Sequence, residues 1–334
     1  RAVRYGVTRQ RVLGLEAVLA GGEVIRTGGR FVKCSSGYDL TQLLVGSEGT
    51  LALVTEVTLK VEHRLSHAAT LLAPFATLEE VSGAVPRLVA GGLVPTILEY
   101  LDALTMAAIT EAAGVELGVP ATVRDATSAY LVVVAESARE DRLEQDVATF
   151  AGLLAELGAI EVYVLPPTAG AELVTARERA FYVSKAAGAD DLIDSVVPRA
   201  AIPDYLATVA GIAAERGALV SGCGHVADGN VHVSIFQPDQ EERQALLHEV
   251  YVATIAAGGA ISGEHGIGTE KRSYFLELED PVKLALMRRI KAAFDPFGVL
   301  GPGRLPGSGP SEATGGDTGS DRQPTSARAQ GRRT

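Results

Sequence analysis

The sequence predicts a protein of the α+β class, and three observations lead to that prediction. Strand-like and helix-like segments alternate from about residue 66 onward, an order typical of α+β and α/β domains. Asp228-Gly229 lies between two apolar segments, which favours a tight hairpin and at least one antiparallel strand pair. The composition is 47% hydrophobic with no tryptophan, as expected of a globular chain with an aliphatic core. The antiparallel pair favours α+β over α/β.

The residues before position 66 predict a small unit rich in strands. Gly21-Gly22 lies between two apolar segments and predicts the turn of a hairpin. In the last strand of the unit, Leu53, Val57 and Leu59 alternate with polar residues and are expected to share one face. The predicted elements are strands over 12–19, 24–27 and 51–61, with a short helical or apolar stretch over 40–45. A polar run at 62–66 predicts a boundary.

The longer remainder of the chain predicts helices packed on a sheet. The expected strands cover 69–75, 96–101, 129–135, 160–165 and 192–197, together with the two strands of the Asp228-Gly229 hairpin. The expected helices cover 78–90, 140–157, most of 168–187, 203–216, 239–257 and 281–294. A further helix begins after Asp102, whose carboxylate is a good N-cap.

Two short runs, 222–233 and 263–268, contain three of the six histidines of the chain. A two-residue type I′ turn at Asp228-Gly229 would place His225 directly opposite His232, with Cβ atoms about 5 Å apart. Two such imidazoles with Glu264 as third ligand would suit a divalent ion, Zn²⁺ first. His265 would stay free for proton transfer. A solvated cross-strand histidine pair, and a 263–268 loop selected only for its turn chemistry, are the alternatives.

Charge, cysteine content and chain ends give broader expectations. The net charge is −11, which argues against nucleic-acid binding because that requires clustered Lys and Arg. Two cysteines favour a reducing cytoplasm, and no apolar run reaches the roughly 20 residues of a membrane span. The chain begins without methionine in what reads as the middle of a domain, and 306–334 is expected to be disordered.

Several ordered motifs resemble one enzyme family. They are Tyr5-Gly6-Val7-Thr8 through Val12-Leu13-Gly14-Leu15, Gly37-Tyr38-Asp39-Leu40 with the run 46–51, the run 224–232, the run 261–268 and the closing run 295–304. Together they resemble the FAD-linked oxidases of the vanillyl-alcohol-oxidase, or PCMH, type. Within these oxidases the likeness is to 2-hydroxyacid dehydrogenases acting on D-lactate, glycolate or D-2-hydroxyglutarate.

The resemblance implies a domain plan and a flavin site. Residues 1–65 would be the second half of a PCMH-type FAD-binding domain, and 66–260 an α+β cap, or substrate, domain with a largely antiparallel sheet. Residues 261–305 would return to the flavin. The implied FAD-binding residues are Gly37, Tyr38, Asp39, Gly46, Ser47, Glu48, Gly49 and Thr50. The resemblance leads us to expect that the first half of the FAD domain, with its pyrophosphate loop, is missing from this chain, and Gly301 replaces an asparagine of the family pattern.

The implied activity is the metal-assisted oxidation of a D-2-hydroxy acid to a 2-oxo acid by FAD. His265 would take the hydroxyl proton, Arg177 (or alternatively Arg179) would bind the carboxylate, and Asn230 would touch substrate or flavin. The electron acceptor would be a quinone, an electron-transfer flavoprotein or an iron–sulfur subunit. A homodimer and a peripheral position at the inner face of the membrane are further options. A metal-dependent hydrolase and a non-catalytic remnant or subunit are the alternative functions.

Overall fold

The structure, a computed structural model, describes residues 1–305. The predicted disordered tail at 306–334 lies outside the described residues. The strands are β1 Val12–Val18, β2 Val24–Gly28, β3 Leu53–Leu59, β4 His67–Phe75, β5 Ile97–Asp102, β6 Ala129–Ser137, β7 Tyr163–Val164, β8 Asp191–Val196, β9 Leu219–Gly224 and β10 Asn230–Phe236.

The helices connect these strands in the order that the sequence suggests. They are α1 Ala2–Tyr5, α2 Thr8–Arg11, α3 Leu40–Leu44, α4 Leu78–Ala90, α5 Ala103–Ala113, α6 Ala121–Asp125, α7 Glu140–Glu156, α8 Pro167–Glu178, α9 Ala180–Ala186, α10 Ile202–Glu215, α11 Gln240–Ala256, α12 Arg272–Leu278 and α13 Pro281–Phe294. No helix in the described part of the chain has both the length and the hydropathy needed to cross a bilayer.

The first unit is a three-stranded antiparallel sheet in the order β2-β1-β3. The predicted hairpin at Gly21-Gly22 is confirmed, since β1 and β2 pair across this turn. Its small core contains residues of β1 and α3 and also Ile290 and Phe294 of α13. The C-terminal helix therefore packs against the N-terminal sheet. The alternating apolar residues of β3 are exposed among the described residues, with Leu53 at 58% and Leu59 at 55%.

The second unit is a seven-stranded sheet in the order β7-β4-β6-β5-β9-β10-β8, and its strand pairings are antiparallel. The expected α+β class with a largely antiparallel sheet is thus confirmed. Helices α4, α7, α10 and α11 cover one face of the sheet with the larger core. Helices α5, α8 and α9 cover part of the other face. Strand alternation puts Cys223 on this second face, beside α8 and α9.

Local sequence signals account for the starts of several helices. Helix α4 has the predicted bounds, because Thr77 and Glu80 form a reciprocal capping box at its start. Asp102 accepts a hydrogen bond from the Thr105 N–H at 2.7 Å, which confirms it as the N-cap of α5. One prediction is wrong in extent, since the strand expected over 160–165 is only Tyr163–Val164. The expectation that most of 168–187 is helical is confirmed, with one break at Arg179 between α8 and α9.

Candidate active site

The connection between β9 and β10 differs from the predicted two-residue turn. Residues Val226–Asp228 form a turn of 3₁₀ helix, and Gly229 alone has the left-handed conformation, with φ of 82°. A type I′ turn needs positive φ at both central positions, whereas the Asp228 N–H donates to the His225 carbonyl within the 3₁₀ turn, at 2.8 Å. His232 therefore pairs with Cys223 instead of His225. The predicted register was wrong.

The three predicted metal ligands nevertheless meet. The rings of His225 and His232 lie 5.4 Å apart and nearly perpendicular. Their Nε2 atoms are 3.4 and 3.2 Å from Glu264 Oε1, and one ligating atom from each of the three residues lies within 4.8 Å of the other two. Bonds of about 2.05 Å at tetrahedral angles separate neighbouring ligand atoms by about 3.3 Å. The two separations from Glu264 in this metal-ligand triad therefore match those around a zinc-sized ion.

The far ring nitrogens of both histidines face buried carboxylates. His225 Nδ1 lies 3.0 Å from Glu99 Oε1, and His232 Nδ1 lies 3.6 Å from Asp194 Oδ1. Metal-ligating histidines usually direct the second ring nitrogen to such a group, which fixes the ring and its tautomer. Sequence reasoning missed both acids. Each is a carboxylate in the interior of a strand whose neighbouring residues are mostly apolar, and a buried acid is rare enough to serve as a signal.

Asp194 holds the Glu264 loop, residues 262–268, against strand β8. Its side chain is fully buried. Oδ2 accepts hydrogen bonds of 2.8–3.0 Å from Ser262 Oγ and from the backbone N–H groups of residues 263–265. Asn230 Nδ2 donates to Oδ1 at 2.8 Å. Burial acts to raise the pKa of Asp194, but the bonds from Asn230 and the backbone outweigh it and lower the pKa. Asn230 is thus buried beneath the site.

The electrostatics of the triad favour an ionised Glu264. Hydrogen bonds from His225 and then His232 hold the pKa of Glu264 well below its usual range. Burial acts to lower the pKa of His225, yet Glu264 and Glu99 outweigh burial and raise it. Burial likewise opposes ionisation of Glu99, but His225 and Arg177 lower its pKa. The carboxylates of Glu264 and Glu99 therefore offset the desolvation cost of a positive charge at this site.

Glu48 joins the glycine-rich turn 46–50 to the Glu264 loop. Its carboxylate accepts hydrogen bonds of 2.8 Å from the N–H groups of Ile267 and Gly268. A Cβ on Gly266 would lie 2.9 Å from Glu48 Oε1, so this contact needs glycine there. A Cβ on Gly49 (φ 71°) would meet nothing within 4 Å, so the turn faces open space there, whereas a Cβ on Gly46 would lie 2.9 Å from Arg9 Nη2. Flavin binding by this turn stays a prediction.

The other predicted flavin-binding residues line a separate groove of about 470 Å³. Tyr38 is almost fully exposed there, and Gly37 has a φ of 86° with open space around it. The Asp39 carboxylate accepts a hydrogen bond from the Gln42 N–H at 3.0 Å and so caps α3. An open groove beside a left-handed glycine leaves room for a ligand, and the flavin role of these residues also stays a prediction.

A cavity of about 130 Å³ adjoins the metal-ligand triad. Arg177, His232, Glu264 and His265 are among the residues that line it. Arg177 forms an ion pair with Glu99, and its Nη2 lies 3.2 Å from His225 Nε2. Arg179, the alternative, lines a different cavity. Arg177 therefore lines the same cavity as His232 and Glu264 of the metal-ligand triad.

His265, which the sequence predicts to take part in proton transfer, lies at the wall of this cavity. Its ring stacks on His232 with centroids 5.2 Å apart and planes 15° apart. Nδ1 lies 3.9 Å from Asp194 Oδ2, and 41% of the side chain is exposed. Burial lowers the pKa of His265, which Asp194 partly counteracts. A neutral imidazole facing a cavity can accept a proton from a bound molecule.

Comparison with known proteins places the chain in a family. Residues 64–305 match the family described as FAD linked oxidases, C-terminal domain, and the chain belongs to that family. It is 54% identical over 303 residues to an uncharacterised FAD-linked oxidoreductase of Mycobacterium tuberculosis, covering 91% of this chain and 66% of the relative. It is 34% identical over 313 residues to glycolate oxidase subunit GlcD of Bacillus subtilis, covering 91% and 65%.

A third relative is D-lactate dehydrogenase of Archaeoglobus fulgidus, 35% identical over 311 residues, covering 91% of this chain and 66% of the relative. The chain thus spans slightly less than two thirds of the length of these relatives. Among solved structures, 4-ethylphenol oxidase of Gulosibacter chungangensis superposes with a TM-score of 0.69 at 14% identity, covering 91% of this chain and 67% of that one. The structure of p-cresol methylhydroxylase superposes with a TM-score of 0.68 at 15% identity, covering 88% of this chain and 65% of that one. At these identities the likeness shows the PCMH-type fold alone.

Proposed function

We propose that the protein catalyses the FAD-dependent, metal-assisted oxidation of a D-2-hydroxy acid to the 2-oxo acid. The observation that carries this proposal is the meeting of His225 Nε2, His232 Nε2 and Glu264 Oε1 beside a cavity that also contains Arg177 and His265. The names of two relatives, glycolate oxidase subunit and D-lactate dehydrogenase, indicate 2-hydroxy acids as the substrate class.

The residues present fit a catalytic metal site. A tetrahedral zinc site with three protein ligands leaves a position open, and the metal-ligand triad supplies two nitrogens and one oxygen of suitable type. Bound Zn²⁺ or a similar divalent ion would supply a Lewis acid for the carboxylate and hydroxyl oxygens of the substrate. Glu99 and Asp194 would fix the two imidazoles from behind.

The side chains of the cavity divide the remaining work. Arg177 would orient the substrate carboxylate, because a planar guanidinium matches a carboxylate in two-point contact. His265 would accept the hydroxyl proton as the Cα–H bond breaks. Asn230, bonded to Asp194, would keep the Glu264 loop in place beneath the substrate. These roles agree with the positions of the three side chains relative to the cavity and the loop.

FAD would be held in part by the open backbone of the turn 46–50 and by the groove at Gly37, Tyr38 and Asp39. Bound FAD would supply the acceptor for the hydride. Glu48 connects this turn to the Glu264 loop, so hydrogen bonds would link the segment that binds flavin to the segment that binds the metal. Electrons would then pass to an acceptor other than O₂, namely a quinone, an electron-transfer flavoprotein or an iron–sulfur subunit.

The test is anaerobic reduction of the FAD-loaded protein, which is measured as the loss of flavin absorbance. D-lactate, glycolate and D-2-hydroxyglutarate are offered before and after removal of divalent ions by a chelator. At least one acid should reduce the flavin, and chelation should abolish the reduction until Zn²⁺ is restored.

Variants connect this reaction to the triad. His225→Ala should keep the flavin and lose reduction by at least 100-fold. His248→Ala is the matched control, since His248 pairs with Glu277 on the surface, and it should react like wild type. Full activity of His225→Ala, or none of the three acids reducing the wild-type flavin, would contradict the proposal.

A further inference from the structure

The cavity beside the metal-ligand triad has a second end that sheet register defines. His232 and Asp194 are paired across β10 and β8, and Ser234 and Leu192 form the next pair on the same face. Strand residues two positions apart lie about 6.7 Å from each other and share a face. Ser234 and Leu192 both line the cavity, so they form its distal end, one step along the strands from the ligand His232.

The remaining wall of the distal end comes from α9 and β9. Helix α9 contributes Ala180, Phe181 and Ser184 to this wall. Strand β9 contributes Ser221, which pairs with Ser234. Thr105 closes the floor through a 2.7 Å hydrogen bond between its hydroxyl and that of Ser221. Within residues 1–305, the side chains of the distal end are therefore apolar or carry a hydroxyl.

The fully charged side chains of the cavity wall are mostly acidic. Besides the histidines, the ionisable side chains with full charges are Arg177, Glu178 and Glu264 within the described lining. Arg177 is already paired with Glu99 and lies at the triad end, beside His225. A substrate held there by its 2-hydroxy-carboxylate would extend the substituent on C2 toward Leu192 and Phe181. A second carboxylate would find no cation at that end.

We propose that the distal end selects 2-hydroxy acids with a short aliphatic substituent and rejects those with a second carboxylate. The inference rests on the proposed function for the orientation of the substrate. Apolar walls stabilise added methylene groups by the hydrophobic effect, with selectivity of about 10-fold or more per methylene in a fitted pocket. A carboxylate moved from water to the same walls loses hydration without gaining an ion pair. Leu192 and Phe181 are the specificity-determining residues.

The experiment compares kcat/KM of the FAD-loaded, metal-loaded protein for D-lactate, D-2-hydroxybutyrate and D-2-hydroxyglutarate. The two monocarboxylates should exceed D-2-hydroxyglutarate by at least 10-fold. Calorimetric titration with 2-oxobutyrate and 2-oxoglutarate measures binding without turnover, and the same preference should appear in the dissociation constants. Absence of turnover with a preserved binding preference would refute the proposed function and leave the distal-end assignment standing. Tighter binding of 2-oxoglutarate would overturn the assignment.

Two charge-adding variants locate the selectivity. Leu192→Lys should move the 2-oxoglutarate to 2-oxobutyrate preference at least 10-fold toward the dicarboxylate, because it places a cation at the distal end. Ser184→Lys adds the same charge from α9 and serves if the first variant does not fold. Leu286→Lys, at an exposed position of α13, is the matched control and should leave the ratio unchanged. Equal ratios in wild type and in the folded cavity variant would refute the assignment.

Discussion

Replacing Asp194 by asparagine would test how the metal-ligand triad is positioned. One carboxylate oxygen accepts four hydrogen bonds from the Glu264 loop, and the other accepts one from Asn230. An asparagine amide must direct its NH₂ group at one of these two sets of donors. Either orientation sets a donor against donors and removes the negative charge behind His232. Because asparagine and aspartate have nearly the same shape, any loss of stability or metal affinity reflects hydrogen bonding and charge instead of side-chain volume.

The magnitude follows from the buried acceptor. Hydrogen bonds to a charged group contribute about 1.5–3 kcal/mol each, and a buried donor left unpaired costs about 1–3 kcal/mol. Relaxation of the Glu264 loop limits the sum, so we expect Asp194→Asn to lower the free energy of unfolding by about 3–5 kcal/mol. At about 2–4 °C per kcal/mol, Tm should fall by at least about 6 °C. The loss of a carboxylate behind a ligand should weaken divalent-ion binding about 10–100-fold.

Calorimetric unfolding of the metal-free protein measures the loss of stability, and titration with Zn²⁺ measures the loss of metal affinity. Ser262→Ala is the matched control because it removes one of the same donors and leaves the charge in place. It should cost about 1.5–3 kcal/mol, the contribution of one hydrogen bond to a charged group. The reasoning is refuted if Asp194→Asn unfolds within 1 °C of wild type and binds Zn²⁺ with unchanged affinity.

Three further predictions concern parts of the fold outside the triad. Burial opposes ionisation of Asp295, but its buried lysine partner and two backbone N–H groups outweigh burial and lower its pKa. Its stabilisation is therefore complete above the unfolded pKa of about 3.9 and is lost as the pH falls toward the lower folded value. In urea unfolding, Asp295→Asn should cost about 3 kcal/mol at pH 7 and less below pH 4, and a constant difference would contradict this. Burial raises the pKa of Cys223 to about 12, so at pH 8 a thiol reagent should label exposed Cys34 in the native protein and Cys223 only after unfolding; equal labelling rates would be inconsistent with the structure. Gly229→Ala should destabilise more than Gly118→Ala by thermal unfolding, because both have positive φ but only the former places a Cβ against a backbone oxygen, at 2.1 Å; similar losses would exclude that clash.

Local signals in the sequence determined much of the secondary structure. The capping box of Thr77 and Glu80 defines the start of α4, and the Asp102 cap defines the start of α5. The β9–β10 connection shows the limit of such signals. Asp228-Gly229 favours a type I′ turn, but the backbone at Asp228 joins a 3₁₀ turn instead. The turn dipeptide alone therefore did not determine the register of the two strands.

The candidate site was predictable in its ligands and not in their supports. His225, His232 and Glu264 stand in two unusual runs, so residue type predicted that they would meet, and their binding of a metal stays a prediction. Glu99 is 126 residues from His225, whose imidazole it contacts. Asp194 is 71 residues from His265, whose backbone N–H donates a hydrogen bond to it. No local pattern links such positions, because strand order in the sheet brings them together. Packing also decides burial, as the exposed alternating residues of β3 show.

Zinc binding by the metal-free protein tests the central claim most directly. Calorimetric titration should find one ion per chain in wild type and in His248→Ala. His232→Ala and Glu264→Gln, which each remove one atom of the metal-ligand triad, should lose at least 100-fold in affinity while keeping the wild-type circular dichroism spectrum. Zn²⁺ binding of equal affinity in all four proteins would show that the triad is not the metal site.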